Sequence, residues 1–157
     1  VQGGAYGGGV GLVAACDMAI AAEEAVFSLT EVRLGIIPSV VSPYVLAAIG
    51  ARAARRYFLT AERFDAAQAM RIGLVHEVAD DDAFLGRKDE IIKDILSGGP
   101  EAVSHTKAMV TDVSEFAVDA SLLRDLAGRI AGRRAAPEGI EGITAFLERR
   151  LPAWRSE

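Results

Sequence analysis

An α/β layer followed by an all-helical C-terminal region is the fold class this sequence predicts. Two observations carry it. Residues 1–80 hold short apolar runs punctuated by glycine, and residues 81–157 keep a helical period throughout. A chain of 157 residues, 51% hydrophobic and 25% charged, buries roughly 68–70% of its unfolded surface and needs no covalent staple. A single cysteine, Cys16, supports neither a disulfide framework nor a cysteine zinc site, and points to a reducing, cytoplasmic compartment. The net charge of −5 argues against a nucleic-acid partner. No run of 18 apolar residues predicts a membrane span. The sequence opens at Val1, already inside a glycine-rich motif, so part of the protein is expected upstream.

The elements are predicted in order. Gly3-Gly4-Ala5-Tyr6-Gly7-Gly8-Gly9-Val10-Gly11 reads as a turn entering the short helical stretch Leu12 to Ala15. Cys16 to Ala21 and Ala25 to Leu29, divided by Glu23-Glu24, read as strands. Ser42-Pro43 opens a helix over Tyr44 to Ile49 that Gly50 ends, and a second runs from Ala51 to Leu59. Asp65 is an N-cap for a third, stopped by Gly73, and Leu74 to Val78 reads as a strand. Beyond Asp80, four apolar helix faces follow: Phe84 to Ile95, Ala102 to Val113, Leu122 to Ile130 and Ile140 to Leu147. They are separated by Gly98-Gly99-Pro100 and Ala135-Ala136-Pro137. Such a tail either covers the sheet or packs against a partner subunit.

Chemistry centres on few residues. Glycines running into a helix leave N–H groups unpaired at the positive end of its dipole, fit for a phosphate or a developing oxyanion. The same glycines equally describe a tight packing turn. Gly9-Val10-Gly11-Leu12-Val13-Ala14 matches a dinucleotide fingerprint, with Glu31 about 20 residues on. That reading requires a long helix, one following strand and a visible preceding strand, none of which the sequence offers. Glu31 follows an apolar strand and is bordered by Leu29, Leu34, Ile36 and Ile37, a setting that desolvates a carboxylate for proton transfer. Its plain reading is a first-turn Glu after an N-cap Thr30, or an ion pair with Arg33. His76 and His105 have no partner at ligand spacing, so no metal is expected. Ser39, Ser42, Ser104 and Ser121 lack a nucleophile-elbow context. Arg133, Arg134, Arg149, Arg150 and Arg155 read as a solvated face.

One family gathers these pieces. The run Ala5-Tyr6-Gly7-Gly8-Gly9, then Ala15-Cys16-Asp17-Met18-Ala19-Ile20-Ala21, Phe27 to Pro38, Ile49-Gly50, Leu59-Thr60, Asp65-Ala66, Gly73-Leu74-Val75 and Glu141 to Arg150 resembles the enoyl-CoA hydratase/isomerase (crotonase) superfamily in order and spacing. The resemblance implies a crotonase-like (ClpP/crotonase) spiral of ββα units followed by an all-helical C-terminal region. Residues 1–80 are then the C-terminal part of the α/β core, its N-terminal part lying outside this chain, and residues 81–157 serve oligomerisation and site covering. The implied partner is an acyl-CoA thioester, with coenzyme A part of the substrate and no separate cofactor, and the implied assembly is a homotrimer or dimer of trimers.

By position, the resemblance makes Gly8 a backbone donor to the thioester oxygen, its fellow donor coming from an upstream turn. Losing one such donor costs about 2.7–4 kcal/mol of transition-state stabilisation, so the chain alone is expected to catalyse poorly. Tyr6, Gly7, Gly11, Pro38 and Ser39 fall on substrate-binding positions, with the Ser39 N–H available to hold water. Glu31 matches one of two family glutamates, the one expected to exchange a proton with the substrate α-carbon. The other falls on Gly11. Pro38 to Tyr44 is less glycine-rich than the common pattern and is similar to hydratases of branched, carboxylated enoyl-CoAs, of the methylglutaconyl-CoA or geranoyl type, in leucine and terpene breakdown. The expected activity is that of an enoyl-CoA hydratase, a lyase of fatty acid and acyl-CoA metabolism. A single acid also fits a Δ3,Δ2-enoyl-CoA isomerase, and the same fold without the second acid fits a non-catalytic acyl-CoA-binding homologue.

Overall fold

The computed structural model describes residues 1–115 and 117–155, with the side chains of Asp81 and Glu115 excepted. Two compact units divide it, residues 1–89 and 90–157.

The first unit opens with β1 (Gly4–Tyr6) and α1 (Gly8–Ala15), followed by β2 (Ile20–Ala22) and β3 (Val26–Ser28). A 3-10 turn (Glu31–Leu34) leads to α2 (Ser42–Thr60), β4 (Phe64–Asp65), α3 (Ala66–Arg71) and β5 (Glu77–Ala79). These strands form two small sheets rather than the one layer expected. In the first, β3 lies between a parallel β1 and an antiparallel β4; in the second, β2 and β5 pair in parallel. β4 was not expected, because two residues are too few to show a period.

Helix α2 is interrupted at Gly50 (φ 70°, ψ 160°), so the two helices read on either side of that glycine are present. The break lies in a backbone region essentially reserved for glycine. Asp65 caps α3 as expected, its carboxylate accepting from the Gln68 N–H at 2.7 Å, and Gly73 takes φ 86° beyond it. The strand read over Leu74 to Val78 begins three residues later. His76 explains the shift: its N–H donates to the Ala19 carbonyl at 2.8 Å, and its Nδ1 accepts from the Ala19 N–H at 3.1 Å. The ring does a carbonyl's work, so regular pairing starts at Glu77.

The core of this unit is one cluster around Phe27, Leu29, Val10, Val45, Tyr57 and Phe64. Phe27 stacks on Phe64 at 5.5 Å between centroids, and Tyr57 meets Phe64 at 4.2 Å. Fully burying a side chain of this kind stabilises the fold by roughly 1.5–3 kcal/mol. Ser28 is the buried polar exception, and its hydroxyl donates to the Ala61 carbonyl at 2.9 Å. Ala61 ends α2 at a left-handed φ of 48°, so this bond ties the helix end to β3.

Helix α4 (Asp81–Ser97) contains the division between the units. The second unit continues with α5 (Pro100–Glu115), α6 (Ala120–Ala135) and α7 (Pro137–Glu148). The helices fall where the periodicity and the two proline breaks put them. Their apolar faces do not form a core: Leu123, Ile130, Ile140, Ile143, Phe146 and Leu147 are exposed, and Ala145 is buried. Periodicity identifies a face that prefers apolar cover without supplying it.

The C-terminal arginines expected on a solvated face are in part structural. Arg133 reaches Glu101 at 2.8 Å and Glu138 at 3.4 Å, and its Nε is buried. The Glu138 carboxylate accepts from the N–H groups of Glu101 and Ala102 at 2.9 and 2.7 Å, capping α5 from α7. Burial pushes Glu138 up, but these two bonds and Arg133 outweigh it and its pKa is lowered. Arg150 binds both oxygens of Glu141, at 2.6 and 3.0 Å, and the Ala153 N–H adds a third bond. Together they hold the Glu141 carboxyl at about 2, below its ordinary 4.5. A carboxylate lowered by folding stabilises the native state above its unfolded value and loses that contribution as pH falls through the folded one. The thermal midpoint should therefore decline between about pH 4.5 and pH 2, and Glu141→Gln should flatten that part of the profile. Identical pH profiles for the two proteins would discount the contact.

Candidate active site

The site is built where β1 meets α1. Gly7 sits between them at φ 51°, ψ −116°, a backbone conformation outside the ranges open to residues with a side chain. Its N–H donates to the Ser28 carbonyl at 2.9 Å, pinning the turn to the end of β3. Its carbonyl accepts from Val10 at 3.0 Å and Gly11 at 3.4 Å, which starts the helix. The N–H groups of Gly8 and Gly9 precede the first intrahelical bond, and no hydrogen bond engages them among the described residues. Two donors at the positive end of a helix dipole are left for an incoming oxygen.

Glu31 is brought to the same place by the 3-10 turn that follows β3. One carboxylate oxygen, Oε1, lies 3.2 Å from where a Cβ on Gly7 would stand, so only glycine lets the acid come this close. The other, Oε2, is buried without a hydrogen-bond partner. A buried, unpaired carboxylate oxygen is costly and rare in native proteins. Of the plain readings of Glu31, the first-turn position after N-cap Thr30 is present, though Thr30 makes no side-chain cap bond; the ion pair with Arg33 is absent among the described residues. Of the expected apolar border, Leu29 is buried, whereas Leu34, Ile36 and Ile37 are exposed.

The remaining expected positions divide. Gly11 is buried one turn along α1, and its face meets Val41 rather than a polar group. The Ser39 N–H, expected to hold water, donates instead to the Ile37 carbonyl at 2.9 Å, so the local turn already uses it. Pro38 is half-buried, and its carbonyl accepts from the Ser42 N–H at 3.0 Å. The Tyr6 ring lies against Gly4, with the Arg63 guanidinium 5.7 Å from its centroid. Val41 and Arg63 were missed. Their sequence signals were only an apolar pair after Pro38 and one arginine among many. Among the described residues no cluster of His, Cys, Asp or Glu has the makings of a metal site, and no helix is long and apolar enough to cross a membrane.

The dinucleotide fingerprint fails on placement. A strand does precede α1, contrary to the sequence reading, but the fingerprint's glycines, Gly9 and Gly11, are the second and fourth residues of α1, past the turn at Gly7. The glycines that shape the turn are Gly7 and Gly8.

A family model for enoyl-CoA hydratase/isomerase matches residues 1–157. The chain belongs to that family. A crystal structure from Legionella pneumophila assigned to the enoyl CoA hydratase/isomerase (crotonase) class superimposes with a TM-score of 0.95 at 45% identity, covering 99% of this chain and 60% of that one. Pseudomonas aeruginosa AtuE superimposes with a TM-score of 0.91 at 41% identity, covering 98% and 60%. A crotonyl-CoA hydratase of Syntrophomonas wolfei is 36% identical over 151 residues, 96% of this chain and 58% of the relative. The fold is thus the crotonase α/β fold, and the chain spans about 60% of the length of such enoyl-CoA hydratase/isomerase relatives. Enzymes of this family act on acyl-CoA thioesters.

Proposed function

We propose that the protein is an enoyl-CoA hydratase in which Glu31 moves the protons and the Gly8 N–H holds the thioester oxygen. The observation that carries this reading is the unpartnered Glu31 carboxylate oxygen packed against Gly7, the residue that precedes the unengaged Gly8 N–H. As water adds to an α,β-unsaturated thioester, enolate charge builds on the carbonyl oxygen, where a fixed N–H at a helix N-terminus is most effective. Water delivers hydroxide to the β-carbon. Glu31, as the one acid, takes the proton lost by water and places a proton on the α-carbon, ending as it began.

Gly7 supports this chemistry by close approach, Gly11 and Pro38 by shaping the wall, and Tyr6 and Ser39 line its border. The acyl group we favour is branched, as in methylglutaconyl-CoA, which places the enzyme in leucine degradation. The reading extends to a cytoplasmic homotrimer or dimer of trimers built through residues 81–157, supported by the exposed apolar faces of α6 and α7. No cofactor beyond the coenzyme A of the substrate is required.

The test is full-length protein with crotonyl-CoA and 3-methylglutaconyl-CoA, following loss of the 2,3-double bond and water uptake, with mass by light scattering. Hydration by a trimer or hexamer is expected. Migration of a double bond without water uptake would make the protein a Δ3,Δ2-enoyl-CoA isomerase, and tight binding without turnover a binding protein. A monomer would sink the assembly.

A further inference from the structure

We propose that Val41 is a specificity-determining residue, forming with Gly11 a fitted apolar pair that walls the acyl group beside the Glu31 carboxylate; this rests on the hydratase reading above. Gly7 precedes α1 and Gly11 lies one turn into it, the Gly11 N–H donating to the Gly7 carbonyl at 3.4 Å. What stands against the helix start is visible at both positions. Glu31 Oε1 lies 3.2 Å from the Cβ position of Gly7, and the Val41 Cβ lies 2.5 Å from that of Gly11, with its Cγ1 nearer still. The carboxylate and the isopropyl group therefore stand against two glycines joined by a hydrogen bond at the start of α1.

Different elements deliver them: Glu31 opens the 3-10 turn, and Val41 is the residue before α2. Val41 is held at both ends. Its carbonyl accepts from the Val45 N–H at 3.0 Å, and its side chain packs on the Phe27 cluster while remaining half exposed. A β-branched side chain has little χ1 freedom, so it has no easy route away from Gly11. Two consequences follow. No side chain fits at position 11 while Val41 stays, so the place where a second acid would stand is closed as well as empty. The wall at Gly11, one turn beyond Gly7, is apolar and of fixed size, which sets the bulk of the substituent the acyl group carries near its reactive carbons.

The experiment uses full-length Gly11→Ala, Val41→Gly, the double variant and Val41→Ala. Gly11→Ala should lower the thermal midpoint and turnover, and adding Val41→Gly should recover most of the midpoint. Val41→Ala should raise kcat/KM for 3-methyl-branched enoyl-CoAs relative to crotonyl-CoA by roughly tenfold, the scale of methylene-sized changes in an apolar pocket. The change should fall mainly in KM, because Val41 carries no proton. Additive midpoint shifts in the double variant, or a substrate ratio within about twofold of wild type in folded Val41→Ala, would overturn the proposal alone. Wild-type protein that hydrates no enoyl-CoA would overturn the hydratase reading and this proposal with it.

Discussion

Replacing Glu31 by Gln should leave acyl-CoA binding nearly intact while lowering kcat by at least about a hundredfold, the lower range of general acid–base catalysis. The substitution keeps the side chain's size and its position over Gly7, and removes only the ability to accept and return a proton. The buried Oε2 makes no hydrogen bond, so its loss should not unfold the chain, and the thermal midpoint should hold or rise slightly. The two readouts thus separate a catalytic role from a structural one. Unchanged kcat would remove Glu31 from the mechanism. A collapse in the midpoint would instead make it a structural acid.

Gly7→Ala should cost both stability and turnover. At φ 51°, ψ −116° an alanine is strained by about 1–3 kcal/mol, and each kcal/mol lowers the midpoint of a chain of this size by roughly 2–4 °C. The new methyl would also stand 3.2 Å from Glu31 Oε1, so the carboxylate must move by a few tenths of an ångström. Such displacements of a catalytic group are expensive, and kcat should fall at least about tenfold at a temperature where the variant is folded. Gly50→Ala is the matched control. Its backbone is equally unsuited to a side chain, but nothing lies within 4 Å of the added methyl. It should lose stability without a comparable loss of kcat. If both variants lose kcat alike, strain alone explains Gly7 and its closeness to Glu31 is irrelevant.

Much of this architecture was legible before any coordinates. The helix boundaries around Gly50, Asp65 and the two proline breaks follow from local chemistry: a glycine-only backbone region, a capping carboxylate, a residue that cannot donate. Glu31 and the glycine turn were legible as candidates because the residue types and their spacing survive in one dimension. Long-range partners do not survive there. The His76 ring in place of a ladder carbonyl, the Arg133–Glu138 link among three helices and the two-residue β4 each depend on residues tens of positions apart. Ser39 shows the converse limit, since its N–H is claimed by a carbonyl two residues away through a turn whose shape no periodicity records.

The sequence by itself determined the helices from Ser42 onward, the family, the glycine turn and the one carboxylate available to it, because these rest on local propensity and on motif spacing. Only the tertiary structure decided that Gly7 lets Glu31 lie against the helix start, that one carboxylate oxygen is buried and unpaired, and that Val41 fills the place beside Gly11. Each of these is a matter of distance between separate elements packed to contact. Close packing leaves no room for a side chain to be nearly in place, and that constraint becomes visible only once the chain is folded.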